Sequence, residues 1–164
     1  MIWFLLASVA LSVLTIVIHG IGTICAVLWI AGLSKKKLNL NNKHLTTGLV
    51  IIKMVSVLLL LHVLEIFFWA GFYRIGGLLP DIESAVYFSL TSYTTVGYGD
   101  VVLTKGWRLL GPIESVMGVL IMGWSTGIMV VIISKLFAVL FPYVSVKDIL
   151  SPEEPNHREK ETKC

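Results

Sequence analysis

Residues 1–34 contain no Lys, Arg, Asp or Glu. A charge-free stretch of this length has few places to go in water. About 20 mostly apolar residues suffice to cross the hydrocarbon core of a bilayer. The stretch Ile2–Leu33 exceeds that, interrupted by His19, Gly20 and Gly22. Two further stretches qualify: Leu49–Tyr73, carrying Lys53, His62 and Glu65, and Trp107–Phe141, carrying Glu114 and Lys135 and stopped by Pro142. Between them lies Asp81–Tyr93, apolar but too short to cross. It reads as a re-entrant segment, whose backbone at membrane depth must face protein or a water-filled cavity.

Composition agrees with this reading. Apolar residues make up 56% of the 164 and charged residues 14%, against roughly a quarter charged in an ordinary soluble domain. That excludes a typical cytosolic enzyme, a disordered chain and a basic nucleic-acid binder. The formal charge of +3 identifies no partner. Cys25, inside an apolar run, is expected to be a buried thiol, and no disulfide to Cys164 is expected.

The first stretch lacks a basic leader and far exceeds the apolar run of about 7–15 residues in a signal peptide, so a retained helix is expected. Its excess length implies tilt or a projecting end. Lys35, Lys36, Lys37 and Lys43 crowd the loop at 34–48 without an acid. Basic loops face the cytoplasm, which places the N-terminus outside and the C-terminus in the cytoplasm. Trp69, Tyr73 and Trp107 then fall near the outer boundary, where aromatic belts form. Lys53 and Lys135, near the cytoplasmic ends, are expected to snorkel. The polar tail at 142–164 has the composition of a disordered end.

The chemistry lies in Thr94-Thr95-Val96-Gly97-Tyr98-Gly99-Asp100. Two glycines flanking a tyrosine permit positive φ where a side chain would forbid it. Alternating such conformations can turn successive carbonyls to one side, and a ring of carbonyls replaces the hydration shell of a bare cation.

Here the sequence resembles the pore-loop potassium-channel family, most closely the small bacterial type with one pore loop per chain. Thr95-Val96-Gly97-Tyr98-Gly99 reproduces that family's selectivity filter unchanged, with Asp100 at the outer mouth. The similarity extends through Ala85–Thr94 and the helix order of residues 49–141. It implies a pore helix at 81–94, a filter loop at 95–100 and an inner helix at 107–141, which with the three long apolar stretches gives an all-α integral membrane protein with three transmembrane helices. It further implies that carbonyls of Thr95, Val96, Gly97 and Tyr98, with the Thr95 hydroxyl, coordinate K⁺. One loop supplies only a quarter of each cage, so a homotetramer in the plasma membrane is expected. The first helix, at 1–33, lies outside the family pattern.

Pro80-Asp81 supplies a stop and an N-cap for the short helix, and Glu83 lies in its first turn, where negative charge is favoured. Relatives carry a glutamate where Thr91 stands and two tryptophans at Tyr87 and Phe88, so the charged pair with the outer aspartate is missing. Tyr87 still offers Asp100 a hydroxyl. Gly118 falls where the family has its hinge glycine, and hinge and tight packing are equally open for it. Gly118, Met122, Ser125 or Thr126, and Met129 share a helical face fit to line a cavity. Gly123 and Gly127 form a GxxxG pair, which favours close helix contact.

Ionisable groups at membrane depth are expensive and point to function. Glu65 and Glu114 lie about 9–12 Å inside the outer boundary at 1.5 Å per residue, level with Ser89, Thr91 and Ser92. A hydrogen-bonded network behind the filter, with at least one glutamate protonated, is one reading; a packing hydrogen bond is the other. His62 stands one turn from Glu65, either as a pH-sensitive pair or as a histidine held by a carbonyl. His19 has no evident partner. An ion-coupled transporter or proton relay using His62, Glu65 and Glu114 is the alternative function, but the internal repeats of transporters are not visible. Metal-dependent enzyme chemistry is rejected, because no second histidine stands at helical offset from His62 and Glu65.

Overall fold

A computed structural model describes residues 2–37 and 43–140. Four helices follow in order: α1 (Ile2–Lys37), α2 (Lys43–Ile75), α3 (Ile82–Tyr93) and α4 (Leu110–Leu140). No strand occurs among the described residues. The stretches Trp3–Trp29, Leu45–Ile75 and Leu110–Ala138 are long and apolar enough to cross a membrane. Among the described residues the chain is an all-helical membrane protein, and α3 is the one helix there too short to span.

The ends of the helices differ from expectation for local reasons. α1 runs past residue 33 to Lys37 and α2 begins at Lys43 rather than 49, so most of the anticipated basic loop is helical. The remaining loop residues 38–42 and the tail at 142–164 lie outside the described residues. α4 begins at Leu110, not Trp107. Pro112 explains this: lacking an N–H, it is tolerated in a first turn but would break a helix already under way. Trp107 instead belongs to a turn, its N–H donating to the Thr104 carbonyl at 2.9 Å. α3 starts where Asp81 caps it, one carboxylate oxygen accepting from the Ser84 N–H at 2.7 Å and the other from its hydroxyl at 2.9 Å.

α3 is held between α2 and α4, and α1 lies against both of those spans. The main core joins Leu11 of α1 to Trp69, Tyr73, Phe88, Met117 and Ile121. Trp69 and Tyr73 therefore correct the aromatic-belt expectation: both are fully buried. Each has a polar tip that needs a partner when taken from water. The Trp69 indole donates to Thr15 Oγ1 at 3.0 Å and the Tyr73 hydroxyl to Glu114 at 2.7 Å. Trp107 is partly buried, edge-on to Phe4 and Phe72. Cys25 is exposed rather than buried. On the far half of the molecule, Lys53 lies over the Trp29 ring, 5.9 Å from its centroid. Gly22 meets Leu61 so closely that a methyl group would overlap it. α1 is thus an integral part of the helical body.

Candidate functional site

α3 ends at Tyr93, and the chain then changes conformation at alternate positions. Thr95, Gly97 and Gly99 have φ of 62, 48 and 79°, whereas no positive φ occurs at Val96 or Tyr98. Left-handed backbone is cheap for glycine and uncommon for a β-branched residue. Thr95 is held there by its N–H donating to the Ser92 carbonyl at 2.9 Å, and the Gly97 N–H donates to the Thr91 carbonyl at 3.0 Å. Alternation of this kind allows successive peptide carbonyls to share one side, the arrangement that can replace a cation's hydration shell.

Residues 94–100 are exposed in the single chain, Tyr98 by 73% and Val96 by 50%. Beside them runs a groove of about 500 Å³, lined by Thr95, Gly97 and Gly99 together with Thr91, Arg108 and Ser115. At its outer end the Tyr87 hydroxyl donates to Asp100 Oδ2 at 2.7 Å, and the Val101 N–H donates to Oδ1 at 3.0 Å. The Tyr87 hydroxyl holds the Asp100 carboxyl below the usual carboxylate range.

Two polar clusters stand behind α3. In one, Glu114 is fully buried and accepts from the Tyr73 hydroxyl and from Ser89 Oγ. In the other, Glu65 is fully buried and accepts from the Tyr93 hydroxyl and from His19 Nδ1, the latter at 2.8 Å. His62 Nδ1 lies 2.8 Å from the Tyr93 hydroxyl and 3.6 Å from the Glu65 carboxylate. Ser125 Oγ closes the ring, 3.0 Å from His19 Nε2 and 3.2 Å from His62 Nε2. The rings of His19 and His62 are stacked, with centroids 5.3 Å apart.

These contacts correct three expectations. His19 has partners on both α2 and α4. His62 is held by side chains, not by a backbone carbonyl. The two glutamates do not share one network: Glu65 meets Tyr93 and Glu114 meets Ser89, one turn apart on α3. Of the other hydroxyls expected there, Thr91 Oγ1 turns back to the Tyr87 carbonyl at 3.0 Å, whereas Ser92 engages α4 through its backbone carbonyl, which accepts from Ser115 Oγ at 2.6 Å. Tyr73, Tyr93 and Ser125 were not singled out as partners, because a hydroxyl in an apolar run carries no spacing signal. His19 did carry one, as the one histidine in a span without Lys, Arg, Asp or Glu.

On α4, Gly118 lies against the Tyr93 carbonyl, and a methyl group there would overlap it. Met122 is half-buried and Thr126 exposed, its hydroxyl donating to the Met122 carbonyl at 2.8 Å. Ser125 faces the histidines and not a cavity. Gly123 and Gly127 meet nothing within the chain that an added methyl would touch, so the close contact anticipated for them is not made inside one chain.

Residues 56–135, from the middle of α2 to near the end of α4, match the model of a family described as "Ion channel". No curated protein and no solved structure gives a match to the chain.

Proposed function

We propose that the ion-channel domain carried by residues 56–135 makes this chain a potassium-selective channel. One observation carries the reading: the alternating left-handed backbone at Thr95, Gly97 and Gly99, in a strip that reads Thr-Val-Gly-Tyr-Gly. In it, the carbonyls of Thr95, Val96, Gly97 and Tyr98 and the Thr95 hydroxyl take the place of water around K⁺, which is the transported ion. One strip cannot surround a cation, so four copies assemble around a shared axis, and the exposed Val96 and Tyr98 are then covered by neighbouring copies. K⁺ moves passively down its gradient through the plasma membrane, with the N-terminus outside and the C-terminus in the cytoplasm. Asp100, steadied by Tyr87, gives the outer mouth a negative charge that concentrates cations. The inner helix supplies Gly118, Met122 and Thr126 to the conduction path or its support. An ion-coupled proton relay is less favoured, because among the described residues no hydrogen bond joins the Glu65 cluster to Glu114.

The test is the reversal potential of purified full-length protein in planar bilayers, with KCl on one side and NaCl on the other. A reversal far from zero towards the K⁺ potential is expected, and Gly99→Ala is expected to abolish K⁺-selective current, because a methyl group opposes the left-handed backbone. Equal passage of Na⁺, or selectivity unchanged in Gly99→Ala, overturns the proposal.

A further inference from the structure

We infer that His19, His62 and Glu65 form a binding site for a transition-metal dication of the zinc class, one that clasps α1 to the ion-channel domain. Their donor atoms all lie within 4.8 Å of one another. Imidazole nitrogens with a carboxylate oxygen are a common three-ligand set for zinc, bound at about 2.0–2.2 Å. Tetrahedral bonds of that length put neighbouring donors about 3.3–3.6 Å apart. The observed separations, 2.8 Å for His19 Nδ1 to Glu65 Oε1 and 3.6 Å for His62 Nδ1 to Glu65 Oε2, bracket that range and run to the two different oxygens of the carboxylate. Metal binding would exchange the 2.8 Å contact of His62 Nδ1 with the Tyr93 hydroxyl for a bond to the ion.

The surroundings are those a metal site needs. A ligating histidine normally donates its second ring N–H to a fixed acceptor. If both imidazoles bind through Nδ1, both Nε2–H groups point at Ser125 Oγ, which lies 3.0 and 3.2 Å away. The Tyr93 hydroxyl donates to the carboxylate oxygen of Glu65 that faces His62, which steadies the carboxylate. His62 is partly exposed in the single chain, whereas His19 and Glu65 are fully buried.

Five contacts close the ring of Glu65, His19, Ser125, His62 and Tyr93. A metal ion held by His19, His62 and Glu65 links α1 to α2 directly behind Tyr93, the residue from which the Thr94–Asp100 strip departs. This inference does not depend on which ion the protein conducts.

The chain has four histidines and two cysteines. Replacing the others, as Cys25→Ser, His44→Ala, His157→Ala and Cys164→Ser in one full-length chain, leaves His19 and His62 as the only imidazoles. In detergent this variant is expected to bind one Co²⁺ per chain with the strong visible absorption of tetrahedral cobalt, and Zn²⁺ is expected to displace it. Zn²⁺, unlike Mg²⁺, is expected to raise the unfolding temperature, since a ligand of the native state stabilises it by mass action. Within that background, His62→Ala and Glu65→Gln are expected to abolish the tetrahedral bands, and Ser125→Ala to weaken binding about tenfold. Absence of tetrahedral bands in the four-substitution chain overturns the inference. Bands that persist in both His62→Ala and Glu65→Gln overturn it too. If those two variants do not fold, the displacement by Zn²⁺ in the parent background still decides.

Discussion

At Gly118 a single hydrogen in place of a methyl group lets α4 touch the carbonyl of Tyr93, the last residue of α3. A closely packed site of this kind cannot yield on the α4 side, and the carbonyl is fixed by the helix that carries it. Gly118→Ala is therefore expected to cost about 1–3 kcal/mol, the usual range for overpacking, read as a lower unfolding temperature in detergent. Gly123→Ala meets nothing within the chain and serves as the control; an equal loss in both variants would refute the packing assignment. A second residue-scale device is the Tyr87–Asp100 hydrogen bond. The hydroxyl favours the ionised carboxylate, so the Asp100 pKa is lowered in the folded chain. Stability from this pair is present above the ordinary carboxyl pKa and is lost as pH falls through the lowered folded value. In Tyr87→Phe the titration of Asp100, followed by carboxyl carbon chemical shift, is expected to move up towards the ordinary range, and the acid-side loss of stability is expected to flatten. An unmoved titration would show that the hydroxyl does not set it.

Among the elements, α3 shows how little of its own length holds it in place. Its start is local, fixed by Asp81 and Ser84. Its position comes from polar groups donated to glutamates on the two flanking spans: Tyr93 to Glu65 on α2, Ser89 to Glu114 on α4. Tyr73 supplies the second donor to Glu114 from α2, so Glu114 ties together α2, α3 and α4. Tyr73→Phe removes that donor and leaves a buried carboxylate oxygen without one, at an expected cost of about 1–3 kcal/mol. Thermal unfolding of Tyr73→Phe, Ser89→Ala and the double variant measures it. The double variant is expected to fall short of the sum of the singles, because both donors serve one carboxylate. Strict additivity would argue against a shared site.

For the whole molecule, the segment 56–135 that matches the ion-channel family model does not include α1, yet leans on it. Thr15 accepts from Trp69, His19 Nδ1 donates to Glu65, and Leu11 belongs to the main core. A chain beginning at Lys43 keeps every residue of the matched segment, but it bares Trp69 and strips Glu65 of one partner. Such a chain is expected to unfold at a lower temperature than the 164-residue chain, as read by thermal unfolding in detergent. Equal stability of the two chains would show that α1 is only appended.

Much of this was legible along the chain. Apolar runs long enough to span, a short apolar segment between two of them, a capped start at Asp81 and a glycine-paired strip after Tyr93 are all local signals, carried by neighbouring residues. Local signals survive any tertiary arrangement. What α1 does was not legible, and neither were the partners of His19, the separation of Glu65 from Glu114, or the burial of Trp69 and Tyr73. Membrane-spanning helices are apolar on every side, since lipid and protein interior are equally apolar, so no stripe announces which face packs on which neighbour. Only the tertiary structure decides that face, and here it brings His19 of α1 to Glu65 of α2 across 46 residues of sequence.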